Sequence, residues 1–529
     1  MFRLSRPSLT LAIRHLCKFG DTDVFPHLPE IAFLRERGDA ALQELMDLDL
    51  DTYAPYGAVE ALGPKSRLGF RIVHQSPLVE TILLLGAVIE IAPRIEDARL
   101  PSGGFEAFSH RFYVGDDGRI FAPDRTYKAW LTAQLDWLSR NPNVVMVVST
   151  DIADFYSRIN FHRLENSLNE IAPGHGAVRY IKKQLQVIRA KQSFGLPVGG
   201  VAARLLAELA LHDTDRMLAD SGIAFTRFVD DFRLFLTQDQ SQYDALASLS
   251  EHLSASEGLT LNAAKTHVLA RREFVELVRK QTSEVTEEVE ELALDALTTD
   301  LYFNDSADEE EFARLSSVNL LGMLDEEVSR QDTDVGRIRV LFRALKVVRP
   351  PEAIEYVRER FDDLVMYARE LALLMQELQR DDPDCFAGLS DRVMLAITSA
   401  PATSIQVLRT WLLELFVRQI VPVNGRSLRA LLPTASLLDR RQLNLIRGLN
   451  GEASYFRRWK TRVGEIAEIE RWTFLWGAAC MPADEYKSFI ASVGPRLSGP
   501  LAALYLKWLV SEHGTIKHKL SAMDHALED

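Results

Sequence analysis

An aspartate doublet inside an alternating apolar segment constrains this chain more than any other feature. Residues 224–236 read AFTRFVDDFRLFL, in which apolar residues alternate on both sides of Asp230 and Asp231. A period of two is typical of strands, and paired acids between two such runs are typical of a turn. The segment therefore predicts a β-hairpin with the two aspartates at its turn. Taken alone, a solvated Asp-Asp turn would be the simpler interpretation.

Another aspartate follows a second predicted strand, earlier in the chain. Residues 144–150 read VVMVVST, a short run rich in β-branched residues that is typical of a strand buried on both faces. Asp151 follows it directly. Between this strand and the hairpin, GLPVGG at residues 195–200 breaks the chain before a predicted helix. The apolar positions of that helix include Val201, Leu205, Leu209 and Met217.

The three aspartates are candidate ligands for divalent metal ions. If the two strand ends are neighbours in one sheet, Asp151, Asp230 and Asp231 lie close together. Carboxylates in such proximity raise one another's pKa unless cations neutralise them. Mg²⁺ prefers carboxylate oxygens, and a pair of Mg²⁺ ions can stabilise the attacking and leaving oxygens when a nucleotide is transferred. We therefore expect a site for two Mg²⁺ ions, with Mn²⁺ as an alternative.

Four short segments occur in the order of the palm motifs of reverse transcriptases. DIADFY (151–156) resembles motif A, GLPVGG motif B, FVDD (228–231) the YxDD box, and LNAAKT (261–266) motif D. The resemblance covers roughly residues 60–280. It implies an α/β right-hand polymerase with fingers and a palm built on a split βαβ-type sheet. The implied activity is that of an RNA-directed DNA polymerase, with dNTPs as substrates and RNA, DNA or both as partners.

The resemblance also implies roles for individual residues. The metal ligands would be Asp151, Asp230 and Asp231. Lys265 falls on the motif D lysine, which lies near the triphosphate and is a candidate proton donor to the leaving pyrophosphate. A surface lysine beside a turn is the alternative. Tyr156 falls where the family places the aromatic residue that screens the sugar 2′ position, although a core aromatic, as Phe155 could equally be, is the alternative.

Further candidates for nucleotide contacts lie in the predicted fingers and in the glycine loop. Arg111, within AFSHRFY, falls where the family uses basic residues against the incoming phosphates. Gly195 and Gly199 would let the backbone approach the template or the nucleotide closely, because glycine has no side chain. Weaker basic candidates in the fingers are Lys65, Arg67 and Arg71.

Two positions depart from the common reverse transcriptase pattern. Phe228 replaces the tyrosine of YxDD, a change that keeps an aromatic packing surface. Val198 stands where many members have a glutamine that helps to hold the template, which puts ordinary template copying in doubt. The same apolar choice is a feature of the bacterial abortive-infection and defence-associated reverse transcriptases.

Segments outside the palm motifs are similar to the same defence-associated group: FGDTDVFPHLPE, KSRLGFRIVHQ and AFSHRFY. Members also carry a C-terminal helical domain, and several make DNA with unusual templates or none, or prime from a protein hydroxyl. The resemblance therefore implies DNA synthesis in antiviral defence, in the bacterial cytoplasm. Two alternatives stay open: a relic palm in a helical scaffold protein, and an RNA-templated enzyme of a mobile element.

The second half of the chain has the pattern of an α-helical array. Segments such as GRIRVLFRALKVVR and SIQVLRTWLLELFVRQI show helical spacing, and prolines or glycines separate them. We predict an all-α, HEAT-like C-terminal domain that binds a partner, an RNA or other copies of the chain as a homo-oligomer. The predicted boundaries are an N-terminal helical segment at 1–60, fingers and palm at 61–280, an acidic linker at 281–315 and the helical domain at 316–529.

The formal net charge of −14 is unusual for an enzyme that must meet phosphates with lysine and arginine. Twelve acidic residues and no basic one lie between Lys280 and Arg314, so most of the excess is local. Three widely separated cysteines favour reduced thiols in a cytosolic protein, although the acid-free first twenty residues leave an organelle transit peptide as a less favoured alternative. No apolar run reaches about 18 residues, so we expect no membrane span.

Overall fold

The chain forms two compact units that interleave along the sequence. The computed structural model describes residues 1–66, 68–101, 105–189, 192–282, 315–316, 318–330, 333, 335–380, 382–423, 431 and 434–514. The first unit consists of residues 1–15, 49–57 and 83–303, and the second of residues 16–48, 58–82 and 304–529.

These units divide the chain differently from the predicted domains. Residues 16–48 and 58–82 cluster with the helical second half, whereas the prediction placed them in an N-terminal segment and in the fingers. The boundaries at 60, 280 and 315 stay a prediction. Residues 283–314 of the predicted acidic linker lie outside the described residues.

The first unit is built on a four-stranded antiparallel sheet with the order β4-β5-β3-β6. The strands of the chain are β1 (Val59–Pro64), β2 (Phe70–Gln75), β3 (Val144–Asp151), β4 (Ala224–Phe228), β5 (Asp231–Thr237) and β6 (His267–Ala270). β3 comes first of the four in the chain and lies between β5 and β6, which is the order of a split βαβ sheet. The predicted β3 strand and the predicted β4–β5 hairpin are confirmed.

Eleven helices precede residue 283 in the described part of the chain. They are α1 (Arg6–Phe19), α2 (Ile31–Met46), α3 (Leu78–Ala98), α4 (Tyr127–Arg140), α5 (Phe155–Arg158), α6 (Phe161–Ile171), α7 (Gly176–Ile188), α8 (Val201–Ala210), α9 (His212–Asp220), α10 (Gln242–His252) and α11 (Arg271–Thr282). A π-helical turn (Leu253–Glu257) and a 3₁₀ turn (Ala263–Lys265) precede β6.

The core of the first unit lies between the sheet and two of these helices. Trp130 of α4 and Phe274 of α11 are buried against Val147 of β3 and Phe235 of β5. The indole Nε1 of Trp130 also donates to Thr226 Oγ1 at 2.9 Å, so the one polar atom of the ring is satisfied. Phe235 places one face of β5 on this core, and because side chains alternate along a strand, it fixes the face on which the other residues of β5 lie.

The helix predicted after the glycine-rich segment is shorter than expected. α8 ends at Ala210, and Leu211 takes a non-helical conformation with φ −103° and ψ 2°. Met217 therefore belongs to a separate helix, α9. Its placement on the same helix as Val201 was wrong because apolar spacing continued across a break that no proline or glycine marks.

The described residues of the second half are helical. Their α-helices are α12 (Leu320–Ser329), α13 (Val335–Val348), α14 (Glu352–Leu364), α15 (Ala368–Leu378), α16 (Ser390–Thr398), α17 (Gln406–Val417), α18 (Leu437–Leu449), α19 (Ala453–Trp459), α20 (Glu468–Gly477), α21 (Ala483–Val493) and α22 (Ala502–Ser511). The all-α character of these residues is as predicted, and their HEAT-like repetition stays a prediction.

The β1–β2 hairpin joins the second unit through buried polar contacts. Gln406 of α17 accepts a hydrogen bond from the Leu62 backbone N–H at 2.9 Å. Arg441 of α18, which is fully buried, donates to Gln75 Oε1 at 2.8 Å. Trp411 Nε1 donates to the Val24 carbonyl oxygen at 2.8 Å. These long-range contacts explain why the hairpin clusters with the helices, a grouping that local sequence patterns do not reveal.

Two sequence expectations can be compared with the described residues directly. In the part of the chain that the structure describes, no helix combines the length and the apolar character needed to cross a membrane. Cys17, Cys385 and Cys480 are free thiols, of which Cys385 is buried and the other two are partly exposed.

Candidate functional site

The ends of β3 and β5 bring the predicted aspartates together. Asp151 and Asp231 are directly opposite each other in the antiparallel register of the two strands. Asp230 occupies the turn between β4 and β5, and its carbonyl oxygen accepts a hydrogen bond from the Ile152 backbone N–H at 3.2 Å. The strand ends therefore place the three aspartates next to one another in the sheet, as predicted.

The carboxylates perturb one another as like charges do in a partly enclosed site. Burial and the neighbouring Asp151 carboxylate raise the pKa of Asp230 from 3.8 to about 7. Burial also raises the pKa of Asp231, against the opposing charge of Arg233, and Asp151 adds to the rise. A site that resists carrying its own negative charges is one that a divalent cation would stabilise.

Lys265 supplies a positive charge at the same place. Its Nζ lies 3.0 Å from Asp151 Oδ2. Burial works to lower the pKa of Lys265, but the hydrogen bond with Asp151 and the nearby aspartates raise it above its ordinary value. The ammonium group is therefore held in its charged form next to the carboxylates, as required of a group that contacts phosphate or donates a proton.

Asn262 was missed by the sequence reasoning, although it lies within the LNAAKT segment. Its backbone N–H donates to the Asp151 carbonyl oxygen at 2.7 Å, and its side-chain Nδ2 donates to Asp151 Oδ2 at 3.3 Å. These contacts attach the segment that carries Lys265 to the end of β3. The signal was an amide three residues before the lysine, which is a spacing that also occurs in ordinary turns.

The donor set fits divalent metal ions, but the carboxylates are turned partly away from a common centre. The three carboxylates do not each place an oxygen atom within 4.8 Å of an oxygen atom of the other two. Asp151 Oδ2 faces Lys265 and Asn262, and Asp231 Oδ1 lies 3.5 Å from Arg233 Nη1. Asp151, Asp230 and Asp231 are the residues that would hold a divalent cation at this end of the sheet.

The glycine loop lies beside the short helix that carries Tyr156. Leu196 N–H donates to the Tyr156 carbonyl oxygen at 2.8 Å, and Gly195 N–H donates to the Ile159 carbonyl oxygen at 2.8 Å. Tyr156 is partly exposed, whereas its neighbour Phe155 is 3% exposed and belongs to the core. Of these two aromatic residues, Tyr156 is therefore the one whose side chain can contact a ligand.

Both glycines of the loop take conformations that other residues rarely adopt. Gly195 has φ +95° and Gly199 has φ +119°. A Cβ atom at Gly195 would lie 3.1 Å from the Ser157 carbonyl oxygen. The glycines are needed for the path of the loop itself, and contact with a template or nucleotide stays a prediction.

Arg111 lies in a buried ion pair and not in an open phosphate-binding position. Its Nη1 lies 2.8 Å from Glu96 Oε1, and the side chain is 3% exposed. A triphosphate would have to displace Glu96 to reach it. The physical reason for the discrepancy is that Glu96, a half-buried acid that sequence patterns do not link to Arg111, neutralises the guanidinium.

The other basic candidates fall elsewhere. Lys65 and Arg71 lie in the β1–β2 region, which clusters with the second unit. Arg67 lies outside the described residues.

Phe228, which stands at the tyrosine position of YxDD, packs in an aromatic cluster. Its ring centroid lies 5.3 Å from that of Tyr127 and 5.6 Å from that of Trp130. These distances are typical of stabilising aromatic pairs. The aromatic packing surface expected from this substitution is present.

Beneath the aspartate turn lies a network of buried charges that sequence reasoning did not find. Arg227, at 0% exposure, makes a two-point ion pair with Asp215, at 2.6 and 2.7 Å, and a 2.7 Å contact with Glu208. Glu208 also accepts from Arg99 at 2.8 Å and from the Ser109 hydroxyl at 2.6 Å. The available signal was Glu208 itself, an acid on the apolar face of α8.

A second group of acidic and imidazole side chains lies at the start of α9. Within the described residues, Glu170, His212 and Asp213 bring their ligand atoms within 4.8 Å of one another. Arg216 Nη1 lies 3.7 Å from Glu170 and 4.0 Å from Asp213. Because this guanidinium already offsets the two carboxylates, an ion-pair cluster explains the group without a metal ion.

Comparison with protein families identifies the domain that contains the aspartates. Residues 106–322 match the family described as reverse transcriptase (RNA-dependent DNA polymerase). The chain therefore contains a segment that is similar to reverse transcriptases. The predicted enzyme class, an RNA-directed DNA polymerase, is confirmed by this match, and members of such families use divalent metal ions. No curated protein matches the sequence of this chain.

Solved structures give weaker similarities. Telomerase from Candida albicans, in complex with a fragment of telomeric RNA, is 11% identical with a TM-score of 0.31; the alignment covers 74% of this chain and 73% of that one. Apo telomerase from Candida tropicalis is 12% identical with a TM-score of 0.30, covering 74% and 75%. These TM-scores are too low to establish a common overall fold.

Proposed function

We propose that this reverse transcriptase domain synthesises DNA from dNTPs by two-metal nucleotidyl transfer, and that it does so in antiviral defence. The observation that carries the catalytic part is the opposed register of Asp151 and Asp231 with Asp230 in the adjoining turn. The raised pKa of Asp230, about 7, supports this proposal, because a divalent cation would offset the repulsion among the carboxylates.

Each residue at the site would have a distinct task. Two Mg²⁺ ions held by Asp151, Asp230 and Asp231 would stabilise the charge that develops on the attacking and leaving oxygens. Lys265, charged and 3.0 Å from Asp151, would contact the triphosphate and donate a proton to the departing pyrophosphate. Tyr156, beside the glycine loop, would exclude a sugar 2′-hydroxyl.

The role in defence is supported by sequence resemblance. Val198 in the glycine loop and the segments similar to defence-associated enzymes favour synthesis with an unusual template, with none, or from a protein hydroxyl. The helical second half would bind a partner, an RNA or further copies of the chain. We place the protein in the bacterial cytoplasm on the same grounds.

The experiment that tests this function measures incorporation of labelled dATP, dCTP, dGTP and dTTP, each alone and mixed, by the purified full chain with Mg²⁺. Product attached to the protein without added nucleic acid would support protein-primed synthesis. Product that requires added RNA would indicate templated synthesis and would exclude synthesis without a template. If cells that express the wild-type chain resist phage, but the purified chain incorporates no nucleotide with or without added RNA, the inactive scaffold would be favoured instead.

A further inference from the structure

The residue before the aspartate doublet adopts an unfavourable backbone conformation. Val229 has φ +59°, in the left-handed region. For a β-branched residue this region is strained, because the side chain crowds the backbone. Strain of this kind persists only where surrounding contacts enforce it. The conformation of Val229 sets the direction in which the chain enters Asp230, so the enforcing contacts bear on the metal site.

Both backbone polar groups of Val229 are held by buried side chains. Its N–H donates to Ser109 Oγ at 2.7 Å, and its carbonyl oxygen accepts from Arg227 Nη1 at 3.1 Å. Ser109 and Arg227 are each 0% exposed. Neither contact can be replaced by water without opening the core of the unit.

Both of these side chains converge on one carboxylate. Glu208 Oε1 accepts from the Ser109 hydroxyl at 2.6 Å, and Glu208 Oε2 accepts from Arg227 at 2.7 Å. Arg99 donates to the same Oε2 at 2.8 Å and to the Ser109 carbonyl oxygen at 2.7 Å. The flanking arginines hold the pKa of Glu208 well below its usual range despite its burial, so the acceptor is ionised. The Ser109 hydroxyl must then donate to Glu208, which leaves its lone pairs for Val229 N–H.

We propose that Ser109, Glu208 and Arg227 are positioning residues that hold Val229 in its left-handed conformation and thereby aim Asp230 at the catalytic metal ion; this rests on the proposed two-metal function. Glu208 stands on α8, the helix that follows the glycine loop. The loop and the aspartate turn are thus linked through a single buried carboxylate.

A glycine at position 229 provides a specific test, because glycine adopts a positive φ without strain. Ser109→Ala removes the acceptor for Val229 N–H. We expect about a tenfold loss of kcat and of Mn²⁺ affinity, because Val229 is no longer held in its strained conformation and Asp230 turns away from the metal ion. The KM for dNTPs should change little. Val229→Gly in the Ser109→Ala background should restore most of the lost kcat and Mn²⁺ affinity. The same change in the wild-type background should raise neither kcat nor Mn²⁺ affinity.

Controls separate this positioning effect from general destabilisation. Thr214→Val removes another fully buried hydroxyl from the first unit, and it should lower neither Mn²⁺ affinity nor kcat. Asp230→Asn with Asp231→Asn defines the part of Mn²⁺ binding that belongs to the aspartates. Ser109→Cys, which keeps the size and a weak hydrogen-bonding group, replaces Ser109→Ala if the alanine variant does not fold.

Mn²⁺ affinity is measured from the electron paramagnetic resonance signal of free Mn²⁺, and kcat from dNTP incorporation. A wild-type chain that binds Mn²⁺ at the aspartates but incorporates no dNTP would contradict the proposed function, while the affinities of the variants would still decide the positioning role. Equal Mn²⁺ affinity in wild type and Ser109→Ala, or a double variant no better than Ser109→Ala, would overturn the inference.

Discussion

Replacement of Asp230 by asparagine should stabilise the metal-free protein while it removes a metal ligand. The pKa of Asp230 is about 7 in the folded chain, against 3.8 for an unperturbed aspartate. Between these two values the folded chain binds more protons than the unfolded chain, so the free energy of unfolding falls as pH rises. The destabilisation is fully present above pH 7, and asparagine, which cannot ionise, avoids it.

The size of the effect follows from the change in pKa. The difference between 3.8 and about 7 corresponds to at most about 4 kcal/mol, because one pKa unit is worth about 1.4 kcal/mol. Asp230 is partly exposed, so water screens part of the electrostatic repulsion. We therefore expect Asp230→Asn to raise the free energy of unfolding by about 2 kcal/mol at pH 8. For a unit of this size, that raises the melting temperature by about 4–8 °C.

Thermal unfolding of wild type and Asp230→Asn at pH 5 and pH 8, in EDTA, measures this gain. The difference in melting temperature between the variant and wild type should be large at pH 8 and smaller at pH 5. When Mg²⁺ replaces EDTA, the melting temperature of wild type should rise more than that of the variant. Asp136→Asn, at an exposed position on α4, is the matched control and should show neither effect. A lower melting temperature for Asp230→Asn at pH 8 would refute the electrostatic reasoning.

Other substitutions test single residues of the site. Lys265→Ala should lower the rate of single-turnover incorporation by about 10²-fold, as expected for loss of a general acid. Lys265→Arg should recover less than half of the lost rate. Tyr156→Ala should raise the incorporation of ribonucleotides relative to dNTPs, and an unchanged ratio would remove Tyr156 from the sugar contact. Gly195→Ala should lower the free energy of unfolding by about 1–2 kcal/mol in urea titrations, because alanine at φ +95° is strained and its Cβ meets Ser157.

The parts of the fold that were predictable are those that local periodicity specifies. β3 and the β4–β5 hairpin follow from apolar spacing, and the two aspartate positions follow from where those strands end. A split βαβ sheet then places Asp151 opposite Asp231. Lys265 was predicted through motif resemblance, and the structure brings it to Asp151 through Asn262.

The parts that were not predictable depend on contacts between distant residues. Arg111 was expected to face phosphates because nothing local shows that Glu96 neutralises it. The network beneath Val229 joins Ser109, Glu208 and Arg227, and Ser109 lies 120 positions before Val229, whose N–H it accepts. Side-chain partners at such separations follow from the assembled core, and single-sequence patterns do not contain them.

Single-turnover dNTP incorporation by folded wild type and by the Asp230→Asn, Asp231→Asn double variant tests the central claim most directly. Both proteins are compared at saturating Mg²⁺, with folding checked by thermal unfolding. We predict that the double variant loses at least about 10³-fold in rate, because the metal-borne stabilisation of the transition state is lost. A double variant within tenfold of wild type would contradict catalysis by the aspartate cluster.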